Sequence, residues 1–263
     1  MVPDSRSKSH EARSHESHVV SQFGARAASY VSSAVHASGE DLQQIADLAK
    51  ARQPLRALDM GCGGGHVSFH VAPFAREMVA YDLSADMLNV VAGEAAKRGL
   101  SNLVTQQGSV ETLPFPDASF DFVASRYSAH HWHNVGAGLA EARRVLKPGG
   151  VFVIADSVSP GAPLLDTHLQ ALELLRDPSH VRSYSVAEWT AHLKAAGFVP
   201  GAAAERRIHL EFTSWVTRMA TPDINVQAIR SLQRSAPSNV RQHFEIAADG
   251  SFWLDTATIA ATL

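Results

Sequence analysis

The chain has 263 residues, 45% of them hydrophobic and 19% charged, with a formal net charge of −3, a balance that excludes the strongly basic surface expected of a nucleic-acid or anionic-membrane binder. Its length suffices for one large α/β domain or a domain with a cap. The single cysteine, Cys62, excludes an internal disulfide, and no apolar run approaches the ~18 residues of a membrane span, so the expected setting is cytoplasmic, without a membrane partner.

Residues 1–18 are rich in Ser, His and Arg with little to bury, and read as a disordered tail; His10, His15 and His18 match no metal-ligand spacing. Residues 19–50 read as helices with an apolar stripe at Leu42, Ile45, Ala46, Leu48 and Ala49. Short apolar runs then alternate with helical patterns, which predicts βαβ units and a mostly parallel sheet. Strands are expected at 55–60, 78–82, 103–107, 120–125, 151–156, 198–203 and 207–212, and helices at 66–74, 84–98, 135–146 and 186–196. Ser84 reads as an N-cap, Ser185 with Glu188 as a capping box, and Lys147-Pro148-Gly149-Gly150 as a helix stop. Beyond 213 come a helical pattern at 225–235 and a hairpin signal at Asp249-Gly250, expected to roof the sheet as a C-terminal cap. The predicted architecture is a Rossmann-like seven-stranded sheet, mostly parallel with an antiparallel last strand, sandwiched by helices under a helical cap.

The stretch "ALDMGCGGGH" places Gly61, Gly63, Gly64 and Gly65 after a strand that ends in Asp59. Glycine at such density lets a ligand approach the backbone, and the following helix offers free N–H groups. A dinucleotide fingerprint needs glycine where His66 stands, and no G-K-[ST] follows. Asp59 would repel phosphate but attract an ammonium group, and Asp82, closing the next strand, stands where doubly wound folds grip ribose hydroxyls. An amino acid at one end and a ribose at the other describe S-adenosylmethionine. A nicotinamide-dependent oxidoreductase is the competing enzyme class.

"LDMGCGGGHVS", "VAYDLSADML", "QQGSVETLPFPDASFDFVASRYSAHHW" and "EARRVLKPGGVFVIAD", in that order, resemble a class I S-adenosylmethionine-dependent methyltransferase of the small-molecule group that includes the UbiE quinone C-methyltransferases. "SRYSAHHWH" and "DPSHVR" are similar to the YafE-like and YcgJ-like bacterial proteins within it. The resemblance implies a methyltransferase domain over 19–212. It further implies that Asp59, Gly61, Gly63 and Gly65 lie along the methionine and ribose, that Asp82 binds the ribose hydroxyls, and that Leu83 and Met87 pack near adenine. Relatives commonly carry "GDAE" where this chain has "GSVE", so Ser109 and the Val110 backbone stand in for the usual adenine acceptor. Tyr30 belongs to the N-terminal segment expected to close over the cofactor, with Phe23 and His36 as substrate contacts.

"SRYSAHHWHN" leaves the fourth strand where the resemblance puts the methyl group. Arg126 and Tyr127 are expected at the methionine end of the cofactor. His130 and His131 are the candidate catalytic bases, because imidazole suits proton removal near neutral pH. No metal is expected, since adjacent imidazoles diverge and no matching carboxylate or cysteine cluster accompanies them. Trp132 reads as a packing residue. The Asn/Asp-Pro-Pro-aromatic run of nucleic-acid amino-methylating enzymes is missing here, which argues against a base as substrate. In "RDPSHVR", His180 and Arg182 are candidate substrate contacts, weighed against a surface ion-pair turn. The expected activity is in-line methyl transfer to a small, aromatic or hydroxylated molecule, yielding S-adenosylhomocysteine, by a monomer or homodimer. A cofactor-binding regulator or partner subunit without turnover is the alternative from another class.

Overall fold

The computed structural model describes residues 14–24 and 39–263. The first described segment forms helix α1, His15–Gly24. Helix α2, Glu40–Arg52, follows the glycine at 39. The core then alternates β1 (Arg56–Met60), α3 (His66–Val71), β2 (Glu77–Asp82), α4 (Ala85–Lys97), β3 (Leu103–Gln107) and β4 (Phe120–Arg126). A 3-10 turn, Ala129–His131, leads to α5 (Val135–Val145), β5 (Leu146–Ser157), α6 (Pro163–Arg176) and α7 (Val186–Ala195). After β6 (Val199–Pro200) and β7 (Ala204–Leu210) come α8 (Phe212–Arg218), α9 (Asp223–Ser235), α10 (Ser238–Phe244) and β8 (Phe252–Thr262).

The sheet runs β3-β2-β1-β4-β5-β8, with β6 and β7 both paired to β8 at its opposite ends. Eight strands therefore occupy seven positions. The first five pair in parallel, and β8 is antiparallel to its neighbours on both sides. The expected fold class stands, but its antiparallel strand is not where sequence placed it. Residues 252–262 were assigned to a cap, yet their alternating buried residues make a strand between β5 and β7. The two strands expected at 198–203 and 207–212 are pieces of one interrupted edge, and Phe212 opens a helix instead. Asp249-Gly250 does make a tight turn, with Ala247 N–H donating to the Ser251 carbonyl, but a helix rather than a strand precedes it.

Capping chemistry locates the helices. Ser84 Oγ accepts from Met87 N–H, and Ser185 with Glu188 forms the reciprocal capping box. Leu42, Ile45 and Ala49 of α2 pack with α3 on one face of the sheet; α5 and α7 cover the other. Leu169, Leu172, Trp215, Ile229 and Phe244 assemble α6 and α8–α10 into a roof with its own apolar core. Residues 14–18 correct the expected disordered tail, since they begin α1 and His15 reaches the His131 carbonyl through Nε2 at 2.8 Å. Among the described residues no helix is long and apolar enough to cross a membrane.

Ile259, fully buried and paired with Ile154 in the middle of β8, tests the placement of this strand. Ile259→Ala is expected to remove about 2–5 kcal/mol from the unfolding free energy in urea titrations, the cost of a core cavity; a loss within ~0.5 kcal/mol would return this segment to the surface.

Candidate active site

The loop after β1 turns because Gly61 N–H and Cys62 N–H both donate to the Tyr81 carbonyl, at 2.8 and 3.0 Å. A Cβ on Gly61 would lie 1.9 Å from Ser128 Oγ, so glycine alone lets the loop meet the segment after β4. Gly63 differs: its φ is +48°, and a Cβ there would meet no protein atom within 4 Å. Its backbone borders a cleft instead. Gly65, at φ +78°, caps the N-terminus of α3.

Two aspartates at strand ends edge this cleft, with Glu16 and Glu111 also on its wall. Asp59 is buried, and its Oδ2 accepts from Ser68 N–H at 3.1 Å and Ser68 Oγ at 2.7 Å, an acid drawn to the first turn of α3. Burial lifts it to about 7, opposed by the Ser68 hydrogen bonds and reinforced by the nearby Asp82 charge. Asp82 accepts from Gly63 N–H at 2.8 Å and Ser84 N–H at 2.9 Å, and burial raises it as well. Acids held above their usual range in a desolvated cleft suit a ligand that brings positive charge and hydroxyl donors. They do not suit a pyrophosphate. Cys62 shares the cleft, but burial, then the Asp82 and Asp59 charges, push its thiol well up and keep it unreactive.

Leu83, Met87, Ser109, Val110, Arg126 and Tyr127 all line this cleft. Arg126 is clamped by Asp41 of α2, Nε to Oδ2 at 2.6 Å and Nη2 to Oδ1 at 3.2 Å, both side chains nearly buried. Tyr127 holds a left-handed φ of +48°, a strained conformation at the point where β4 opens into the site. His15, Glu16, Val19, Val20 and Phe23 of α1 close one wall, contacts that sequence had assigned in part to a disordered tail. Trp132 packs as expected, with Nε1 donating to Ser128 Oγ at 3.2 Å, while its ring edges the cleft. Tyr30 and His36 lie outside the described residues.

A second cavity adjoins the first, and Phe23, Tyr127 and His131 line both. His130 belongs to this second cavity and not to the cofactor cleft. Its Nδ1 lies 2.6 Å from Asp156 Oδ1 at the end of β5, and its backbone N–H donates to Asp156 Oδ2 at 3.3 Å. His131 Nδ1 lies 3.1 Å from the Ser179 carbonyl, which requires that nitrogen to carry the proton. His180 also lines the second cavity, with Nε2 3.0 Å from Gln170 Oε1. Arg182 corrects the sequence expectation: it lines neither cavity and pairs with Asp166 at 3.1 Å and Glu188 at 2.9 Å, in the ion-pair turn that was the competing reading. Asp177, weighed in sequence with His180 and Arg182, does line the second cavity, whereas Glu173 and Arg176 were missed there; Asp156 stands behind His130, and the apolar run "VFVIAD" ending in an acid was the available signal for it.

Residues 58–154 match a family model described as a methyltransferase domain. The uncharacterised YafE of Escherichia coli is 48% identical over 201 residues, 76% of this chain and 97% of that one. The chain belongs to the class I S-adenosylmethionine-dependent methyltransferases. The methyltransferase YcgJ of Bacillus subtilis is 37% identical over 81% of this chain and 85% of its own. Its crystal structure superposes with a TM-score of 0.81, covering 85% of this chain and 97% of that one at 33% identity. S-adenosylmethionine is thus the cofactor of this methyltransferase. The glycine loop, Asp59 and Asp82 supply a donor set that fits it, and Leu83, Met87 and Ser109 line the same cleft.

The ligand's ammonium group prefers the ionised form of Asp59. Below about pH 7 that carboxyl must first lose a proton, so affinity for S-adenosylhomocysteine should weaken by up to about tenfold per pH unit from 7 toward 5.5. Calorimetry on Asp59→Asn should show weaker binding with a flatter pH dependence; an unchanged slope would assign the effect to another group.

Proposed function

We propose that this methyltransferase transfers the methyl group by in-line displacement to a small aromatic or hydroxylated molecule seated in the second cavity. The observation that carries the reading is the shared wall. Phe23, Tyr127 and His131 face the cofactor cleft on one side and the second cavity on the other, so an acceptor there abuts the methionine end of the cleft.

When bound, the cofactor supplies an electrophilic methyl carbon on a positively charged sulfur, a charge that disappears as the methyl leaves. A tight clamp on that sulfur would therefore oppose the reaction, and the chain's task is alignment and exclusion of water. Asp59 and the Gly63 loop hold the amino acid and ribose away from the reacting atoms. Arg126, tied to Asp41, fixes the outlet of β4 against α2. Helix α1 walls the first cavity and Trp215 and Arg218 of α8 the second, and His130 and His131 supply the titratable groups beside the acceptor.

Titration calorimetry with S-adenosylhomocysteine should give one site per chain, and an acceptor screen read by release of that product should identify small molecules that turn over. Binding without any product would favour the non-catalytic alternative. Ile208→Trp, which fills the apolar side of the second cavity, should raise acceptor KM at least tenfold while leaving S-adenosylhomocysteine affinity within about twofold. Equal effects on both ligands would mean that the acceptor sits elsewhere.

A further inference from the structure

We infer that the second cavity takes a neutral phenol-class hydroxyl and that His130, held by Asp156, is the base that removes its proton. This rests on the reading of that cavity as the acceptor site. Three observations support it.

First, the two adjacent histidines are wired differently. His130 uses Nδ1 for the 2.6 Å contact with a buried carboxylate, and its Nε2 takes no hydrogen bond from a described residue, although the ring lines the cavity. That is the arrangement of a base with an orienting acid behind it. His131 spends Nδ1 on a backbone carbonyl, and its Nε2 stands 3.9 Å from Asp177, beyond hydrogen-bond reach. Burial lowers His130, but Asp156, then Glu173 and Asp177, more than reverse this and raise it. His131 is pushed down by burial and by the charge on His130, so it stays a neutral partition between the cavities.

Second, the charges around His130 disfavour ionic acceptors. Glu173 and Arg176 come from α6, where they pair at 3.1 Å, and Asp177 and His180 from the turn after it. Arg218 borders the cavity from α8. Two acids, Glu173 and Asp177, and two arginines, Arg176 and Arg218, balance in sign there, so neither an anion nor a cation gains a net field and a neutral molecule is favoured. Ile208, Leu210, Trp215 and Leu254 offer an apolar body its wall.

Third, the acid must match the base. A phenolic hydroxyl ionises near 10, as tyrosine does, within reach of an imidazole base, whereas an aliphatic alcohol is several units too weak an acid. In the proposed step the hydroxyl proton passes to His130 Nε2, and the oxygen electron pair forms the new O–C bond. The C–S bond breaks with its pair kept by sulfur. The imidazolium, neutralised by Asp156, later releases its proton to water.

The first test needs no turnover. In cofactor-free protein, NMR titration of the imidazole signal lost in His130→Gln should give a midpoint above 6.5, and Asp156→Asn should lower that midpoint by a unit or more. With phenols set beside size-matched amines, carboxylates and aliphatic alcohols, phenols should turn over best, with kcat rising as pH climbs through the His130 midpoint. His130→Gln should cost about 10²–10⁴-fold in kcat with S-adenosylhomocysteine affinity preserved. Asp156→Asn, a positioning change, should move the pH limb acidward. Unchanged kcat and pH profile in His130→Gln, or preference for amines or carboxylates, would overturn the inference while leaving the methyltransferase reading intact. If Ile208→Trp fails to affect acceptor KM, the cavity assignment itself falls.

Discussion

The carboxyl edge of a parallel sheet is the constraint on which this site depends. Strands β1, β2, β4 and β5 point the same way, so Asp59, Asp82, Arg126 and Asp156 arrive at neighbouring strand ends although up to 97 residues separate them in the chain. Each is taken out of water there, and each must be satisfied or left to shift its ionisation. Ser68 and the Gly63 and Ser84 amides partly satisfy the first two. Asp41 neutralises Arg126, and His130 meets Asp156.

Unequal satisfaction gives the edge its division of labour. Asp59, raised by burial in spite of two hydrogen bonds from Ser68, is held up near 7 and rewards a ligand that carries positive charge. Asp156 is matched by an imidazole and gathers Ser157 N–H as well, which leaves it poised to orient rather than to bind. The buried Arg126–Asp41 pair carries little net stabilisation by itself, but breaking it would strand a charge, so it fixes α2 against the outlet of β4. Between these groups, Tyr127 and His131 separate two chambers by the thickness of a side chain.

β8 shows why the roof is rigid enough for this. Its insertion between β5 and β7 ties the chain's last described strand into the centre of the sheet, so α8–α10 are anchored at both ends instead of hanging from one.

The glycine loop, Asp59, Asp82 and the cleft-lining Leu83 and Met87 were legible in the sequence because they are local: a strand, a turn and a capped helix announce themselves within about thirty residues. The parallel core was legible for the same reason, through continuously apolar runs such as "VFVIAD". Tertiary structure alone decided the rest. Residues 252–262 form a strand because a gap beside β5 needs pairing, a demand that no local pattern expresses. His130 and His131, neighbours in the chain and alike in sequence, part company because one meets a carboxylate from β5 and the other a carbonyl from beyond α6. Arg182 leaves the pocket because Asp166 and Glu188 capture it. Local propensity sets elements; ionisation and partnership depend on the low-dielectric neighbourhood, which exists only once distant segments have packed.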